Sequence, residues 1–169
     1  ALALALPAVL ALASSCSSPR VIPTPTATPA PQPPAPLPAP TPQAHWRDAP
    51  ITPGDWTWSM TGGQSVATFA NGLLQLRCDR ANGTVVLDRR GHAPGTVPVT
   101  ITTAAMTRAL TGTGVGAPAP AIRVTLPARD PLLDAMAFSR GRFALDTAGM
   151  PTLYVPSWPE VSRVIEDCR

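Results

Sequence analysis

From Trp56 onward, apolar and polar positions alternate with the period of two that a half-buried strand requires. The cleanest case is Leu74-Gln75-Leu76-Arg77-Cys78-Asp79, with Leu74, Leu76 and Cys78 on one face and Gln75, Arg77 and Asp79 on the other. Similar runs predict strands over Trp56 to Met60, Val66 to Ala70, Thr84 to Asp88, Val97 to Thr103, Ala121 to Leu126, Arg142 to Asp146 and Leu153 to Val155. Gly62-Gly63, Asn71-Gly72 and Asn82-Gly83 are turn signals, because tight hairpin turns need residues that tolerate positive φ. The last two hairpins in tandem make a meander. Gly112 to Pro120, rich in Gly, Pro and Ala, reads as a long loop. About seven short strands at this spacing predict a mainly β domain, an antiparallel β-sandwich or a partly open barrel.

Two helices are expected beside the strands. Asp130-Pro131 puts an N-cap residue ahead of a proline at the first helical position, predicting a short helix near residues 131–137. Ser157-Trp158-Pro159-Glu160 has the spacing of a capping box and introduces a C-terminal helix. Val161, Val164, Ile165 and Cys168 follow at i, i+3, i+4 and i+7, one apolar stripe for the core.

The first forty-odd residues are different. Ala1 to Ala13 is an apolar run of signal-peptide length, too short for a helix that crosses about 30 Å of hydrocarbon. No basic segment precedes it, so the leader is expected to begin upstream of Ala1. Ala13-Ser14-Ser15-Cys16 resembles the lipobox of bacterial lipoproteins, in which the leader is cut before the cysteine and that residue carries the acyl chains. Residues 1–15 are thus read as a lipoprotein-type signal peptide and Cys16 as the lipidation site. From Cys16 to Gln43 the chain is dominated by Pro, Ala and Thr, which precludes helix and ladder and favours polyproline II. At about 3.1 Å per residue, Pro19 to Gln43 reaches about 75 Å as a semi-rigid spacer. Ala44 to Arg169 is the folded domain.

With Cys16 lipidated, Cys78 and Cys168 are the remaining pair, and both face inward on their elements. An exported domain permits their disulfide. Closing so long a loop stabilises by about 4–5 kcal/mol on the chain-entropy account.

Charge narrows the function. The net charge is +3, the chain has no lysine, and its arginines are scattered, which is no footprint for nucleic acid. No Walker motif, dinucleotide fingerprint, nucleophile elbow or zinc-ligand spacing is present, so no cofactor or metal is expected. His92, Ser65 and Asp88 make a catalytic set only on paper, and Asp130 with Asp134 is explained by a cap and an exposed helix position. Ser139-Arg140-Gly141-Arg142 is read as a turn projecting two guanidinium groups. Arg140 and Arg142 are candidate contacts for an anionic ligand, unless Asp134 or Asp146 neutralises them. Trp46, Trp56 and Trp58 are candidates for a sugar-stacking platform, with one of the latter two expected in the core.

Gly54-Asp55-Trp56, Leu76-Arg77-Cys78-Asp79, Arg142-Phe143-Ala144-Leu145, and Leu153-Tyr154-Val155-Pro156-Ser157 before a terminal helix together resemble the invasion-associated locus B-like family of alphaproteobacterial envelope proteins. That resemblance implies a periplasmic β-sandwich without catalytic residues. The expectation is a non-enzymatic lipoprotein of the bacterial cell envelope, held by lipidated Cys16 and facing the periplasm, in the outer membrane rather than the inner. Its domain would bind an envelope protein or cell-wall polymer, or serve a structural role. The alternative is an inhibitor of an envelope hydrolase, such as lysozyme or a periplasmic protease, acting through a protruding loop at Gly112 to Pro120 or Arg89 to Gly95.

Overall fold

A computed structural model describes residues 45–116 and 119–169; the expected leader, Cys16 and the proline-rich spacer lie outside them. The domain is mainly β, with nine strands in one antiparallel sheet and two short helices. The strands are β1 (Trp56–Thr61), β2 (Gln64–Phe69), β3 (Leu74–Asp79), β4 (Thr84–Arg90), β5 (Thr96–Thr102), β6 (Thr107–Val115), β7 (Ala121–Pro127), β8 (Arg142–Thr147) and β9 (Leu153–Pro156). Helices α1 (Pro131–Ala137) and α2 (Pro159–Glu166) are the two foreseen.

The turn chemistry sets the meander. Thr61 pairs with Gln64 across Gly62 and Gly63, whose φ values of 57° and 76° are those a two-residue primed turn demands. Asn71 (φ 54°) and Gly72 (φ 85°) then turn β2 into β3, and Arg80 to Gly83 turns β3 into β4. After β4 the order changes. β5, β6 and β7 fold back so that β7 pairs with β4, while β8 joins the free side of β5; the order is β1-β2-β3-β4-β7-β6-β5-β8-β9.

The sheet is not closed by a ladder, yet its two ends meet. Thr52 N–H donates to the Tyr154 carbonyl and the Thr52 hydroxyl accepts from Tyr154 N–H, both at 2.9 Å. The Trp56 indole donates to the Pro156 carbonyl at 2.8 Å. The curled sheet encloses one core: Leu74 and Leu76 of β3, Val85 and Leu87 of β4, Ile101, Ile122, Phe143 and Val155 are all essentially buried. Val161, Val164 and Ile165 of α2 pack onto β1–β3, and Leu132, Leu133 and Met136 of α1 extend the same cluster.

Cys78 and Cys168 form the disulfide, with 5.2 Å between their Cα atoms. The bridge pins the end of α2 to β3, as the inward stripes of both elements require. A second tie acts at the same place. The Trp58 indole donates to the Ser65 hydroxyl at 2.7 Å, and that hydroxyl donates to Asp167 Oδ2 at 2.6 Å. Arg163 of α2 lies 3.4 Å above the Trp58 ring.

Two expectations are corrected. Gly112 to Val115 is not loop but the second half of β6, a strand without clean apolar alternation. Gly112 itself is buried, because Val99 and Ile122 close over it and leave no room for a Cβ. The capping box of α2 does not form: Trp158 occupies the cap position, and the Ser157 hydroxyl and Glu160 Oε2 are buried without hydrogen-bond partners. Ser157 N–H bonds to the Gly141 carbonyl, so this residue continues β9 and leaves its hydroxyl one position too early for the helix. The cap of α1, in contrast, is as expected, with Asp130 accepting from Leu132 N–H at 2.8 Å.

Candidate functional site

The catalytic set written on paper does not assemble. Ser65 lies at the end of the meander where Cys78 pairs with Val85, whereas His92 follows β4 at the opposite end, where Leu74 pairs with Arg89. Ser65 is committed to Trp58 and Asp167, and Asp88 is held in a fork by Arg123, both bonds 2.7 Å. Asp130 and Asp134 are likewise separate: Arg108 pairs with the first and Arg169 with the second, each at 2.8 Å. Arg108 holds the Asp130 carboxyl below its ordinary range, helped by the Leu132 amide against a desolvation penalty.

The tryptophan platform is also absent. Trp56 and Trp58 share a face of β1 because they are two residues apart. Trp56 is buried against Phe69, 5.2 Å between ring centroids, and Trp58 is half-buried under Arg163. Trp46 packs instead on its neighbours His45 and Arg47.

The arginines divide sharply by partner. Arg123 is ion-paired with Asp88, and that bond raises its pKa above the ordinary guanidinium value. Arg90 donates to the Asn71 carbonyl and Arg77 to Gln64. Gln75, Arg90 and Arg123 line a groove of about 240 Å3. Arg89 is 7% exposed and donates to the Arg90 carbonyl, while its Nε has no partner among the described residues. Burial, and secondarily the charge of Arg90, lowers its pKa.

The two arginines singled out from the sequence have different fates. Arg142 is taken: it donates to the Ala49 carbonyl and clamps the segment ahead of β1 onto β8. Arg140 is exposed and has no hydrogen-bond or ionic partner among the described residues. The acids proposed to neutralise it are occupied, Asp134 by Arg169 and Asp146 by the Thr152 hydroxyl at 2.7 Å.

Arg140 stands on a rigid turn. Ser139 is buried, its hydroxyl accepting from Ala104 N–H at 2.9 Å and donating to the Arg142 carbonyl. This ties the α1–β8 turn to the β5–β6 turn, where the Thr103 hydroxyl accepts from Met106 N–H. Between the two turns lies a cleft of about 590 Å3 lined by Arg47, Ala104, Ala105, Phe138 and Arg140. Phe138, just past α1, is 74% exposed, the largest exposure of a bulky apolar side chain among the described residues. Arg47 donates to the Ala104 carbonyl at 3.2 Å and lines the same cleft as Arg140. Two guanidinium groups beside a bare aromatic ring suit an anion that carries some apolar surface.

Arg47 and the Ala104-Ala105 turn carried no signal in the sequence, because the cleft joins segments 57 and 35 residues apart. The loops put forward for an inhibitor are largely structured. Arg89 and Arg90 belong to β4, Gly112 to Val115 belongs to β6, and Gly91 N–H and Gly114 N–H bond to the Pro120 and Gly95 carbonyls. Compared with family models, curated proteins and solved structures, the chain finds no match.

Proposed function

We propose that this chain is a non-enzymatic lipoprotein of the bacterial cell envelope whose β domain binds an acidic envelope component in the cleft of Arg47, Phe138 and Arg140. One observation carries the reading: Arg140 is exposed with no carboxylate partner among the described residues, beside Phe138, itself 74% exposed. An unneutralised guanidinium next to an uncovered aromatic ring is the composition of binding surfaces rather than of ordinary protein exterior. The lipobox-like run before Cys16, the proline-rich spacer and the likeness to invasion-associated locus B-like proteins support an anchored envelope location. The Cys78–Cys168 bridge is compatible with an oxidising compartment.

The test is co-sedimentation of the full-length protein with purified cell-wall sacculi and with phosphatidylglycerol vesicles, comparing wild type with Arg140→Ala and Phe138→Ala. Both variants are expected to bind at least fivefold more weakly to one of these two materials while unfolding at the wild-type temperature. Equal binding by all three proteins would overturn the reading. In-cell crosslinking that instead captures one envelope hydrolase, lost on neither substitution, would put the inhibitor reading in its place.

A further inference from the structure

A second arginine cluster lies at the end of the domain that holds the disulfide. Arg80 stands in the β3–β4 turn, Arg129 in the turn before α1 and Arg169 just after Cys168. They surround a cleft of about 480 Å3 whose remaining wall includes Gly83, Ala128 and Cys168. Ala128 N–H donates to the Gly83 carbonyl at 2.9 Å, which joins the two turns beneath the arginines. Gly83 and Ala128 are small residues in that wall and take little of the space beside the arginines.

Two of the three are already held. Arg80 donates through Nε to the Asp167 carbonyl at 2.8 Å, leaving its terminal nitrogens unengaged. Arg169 donates through Nε to the Ala128 carbonyl at 3.0 Å and pairs with Asp134 at 2.8 Å. Guanidinium groups anchored in this way lose little further freedom when an anion arrives. Arg129 is exposed and has no hydrogen-bond or ionic partner among the described residues.

Asp79 and Asp167 form no ion pair with these arginines. Asp167 turns its carboxylate to the Ser65 hydroxyl. Asp79 is engaged by the side-chain amide and N–H of Asn82, and that amide holds its carboxyl below the ordinary range. Among the described residues, Asp134 alone forms an ion pair with the three side chains, through Arg169. A phosphate monoester carries about −1.5 to −2 charge and three acceptor oxygens, which suit the forked donors that Arg80 and Arg129 leave unengaged.

We propose that the cleft of Arg80, Arg129 and Arg169 is a phosphate-binding site, separate from the Arg47–Phe138–Arg140 cleft. Its ligand is a phosphate monoester, borne either by a small molecule or by a lipid headgroup.

The test uses the full-length protein and inorganic phosphate as probe. Titration followed by amide NMR is expected to give saturable shifts at Gly83, Ala128 and Arg129. Arg129→Ala, a change at an exposed side chain with no partner among the described residues, is expected to weaken binding at least fivefold without moving the unfolding temperature; Arg80→Ala gives a second, independent loss. Arg140→Ala is expected to bind phosphate as wild type does, so failure of the envelope-binding reading leaves this result standing. Sedimentation with phosphatidic acid vesicles that is lost in Arg129→Ala assigns the phosphate to a lipid headgroup, and phosphate binding without vesicle binding assigns it to a small molecule. Shifts that never saturate, or equal affinity in wild type and Arg129→Ala, would overturn the proposal.

Discussion

The indole nitrogen of Trp56 donates a 2.8 Å hydrogen bond to the Pro156 carbonyl, joining the first and last strands of a sheet in which no ladder runs between them. The ring is buried against Phe69, so the bond is shielded from water. Removing the donor leaves a buried carbonyl unpaired, at a cost of about 1–3 kcal/mol, to which lost ring volume adds. Trp56→Phe is therefore expected to lower the unfolding free energy by about 2 kcal/mol or more in urea denaturation. A change smaller than about 0.5 kcal/mol would show that Thr52 and Tyr154 alone hold the ends together.

Reduction of Cys78–Cys168 should be felt globally, because the bridge fixes α2 over β1–β3. Replacing both cysteines with serine is expected to cost about 2–5 kcal/mol. Peptide mapping under non-reducing conditions should recover the two cysteines in one cross-linked species, and free alkylation of both thiols in the folded protein would refute the pairing.

The Trp58–Ser65–Asp167 chain makes Ser65 the hinge of two hydrogen bonds. Ser65→Ala strands an indole N–H and a carboxylate oxygen in a half-buried position, costing about 1–3 kcal/mol. Trp58 emission should shift and the unfolding midpoint fall; an unchanged midpoint would mean water replaces the hydroxyl without loss.

Arg89 is a buried cation without an acidic partner among the described residues. Desolvation of such a charge is costly, and an apolar side chain of similar length avoids it. Arg89→Met is expected to leave stability unchanged or raise it by about 1 kcal/mol. A loss of more than about 1 kcal/mol would show that the guanidinium supplies an essential bond to the Arg90 carbonyl.

Acid sensitivity should trace to Asp130. Its pKa in the folded domain is depressed, first by Arg108, so its contribution to stability is full above the unfolded value near 3.8 and fades as pH falls through the lower folded value. Asp130→Asn keeps an oxygen for the α1 cap and removes the charge. Stability measured between about pH 6 and 2 should decline less steeply in this variant than in wild type; parallel curves would place the acid-labile group elsewhere.

Strand positions were legible wherever one face met the core and the other met water. Leu74, Leu76 and Cys78 alternate because β3 is flanked on one side by the core and on the other by solvent. β6 was not legible, because Gly112 is its one fully buried residue, and a buried glycine is indistinguishable from a loop glycine in a sequence. The free guanidinium of Arg140 was legible as a candidate, while Arg142 was not separable from it until the Ala49 carbonyl was seen to occupy it.

The amino-acid sequence by itself determined the β class, the meander, both helices and the inward cysteines, since all of these follow from contacts between residues close along the chain. Only the tertiary structure decided that β7 pairs with β4, that Trp56 reaches Pro156, that Arg47 shares a cleft with Arg140, and that Arg129 shares one with Arg80 and Arg169. Those relationships depend on where distant segments come to rest. Packing of the whole core sets that outcome, and local periodicity carries no record of it.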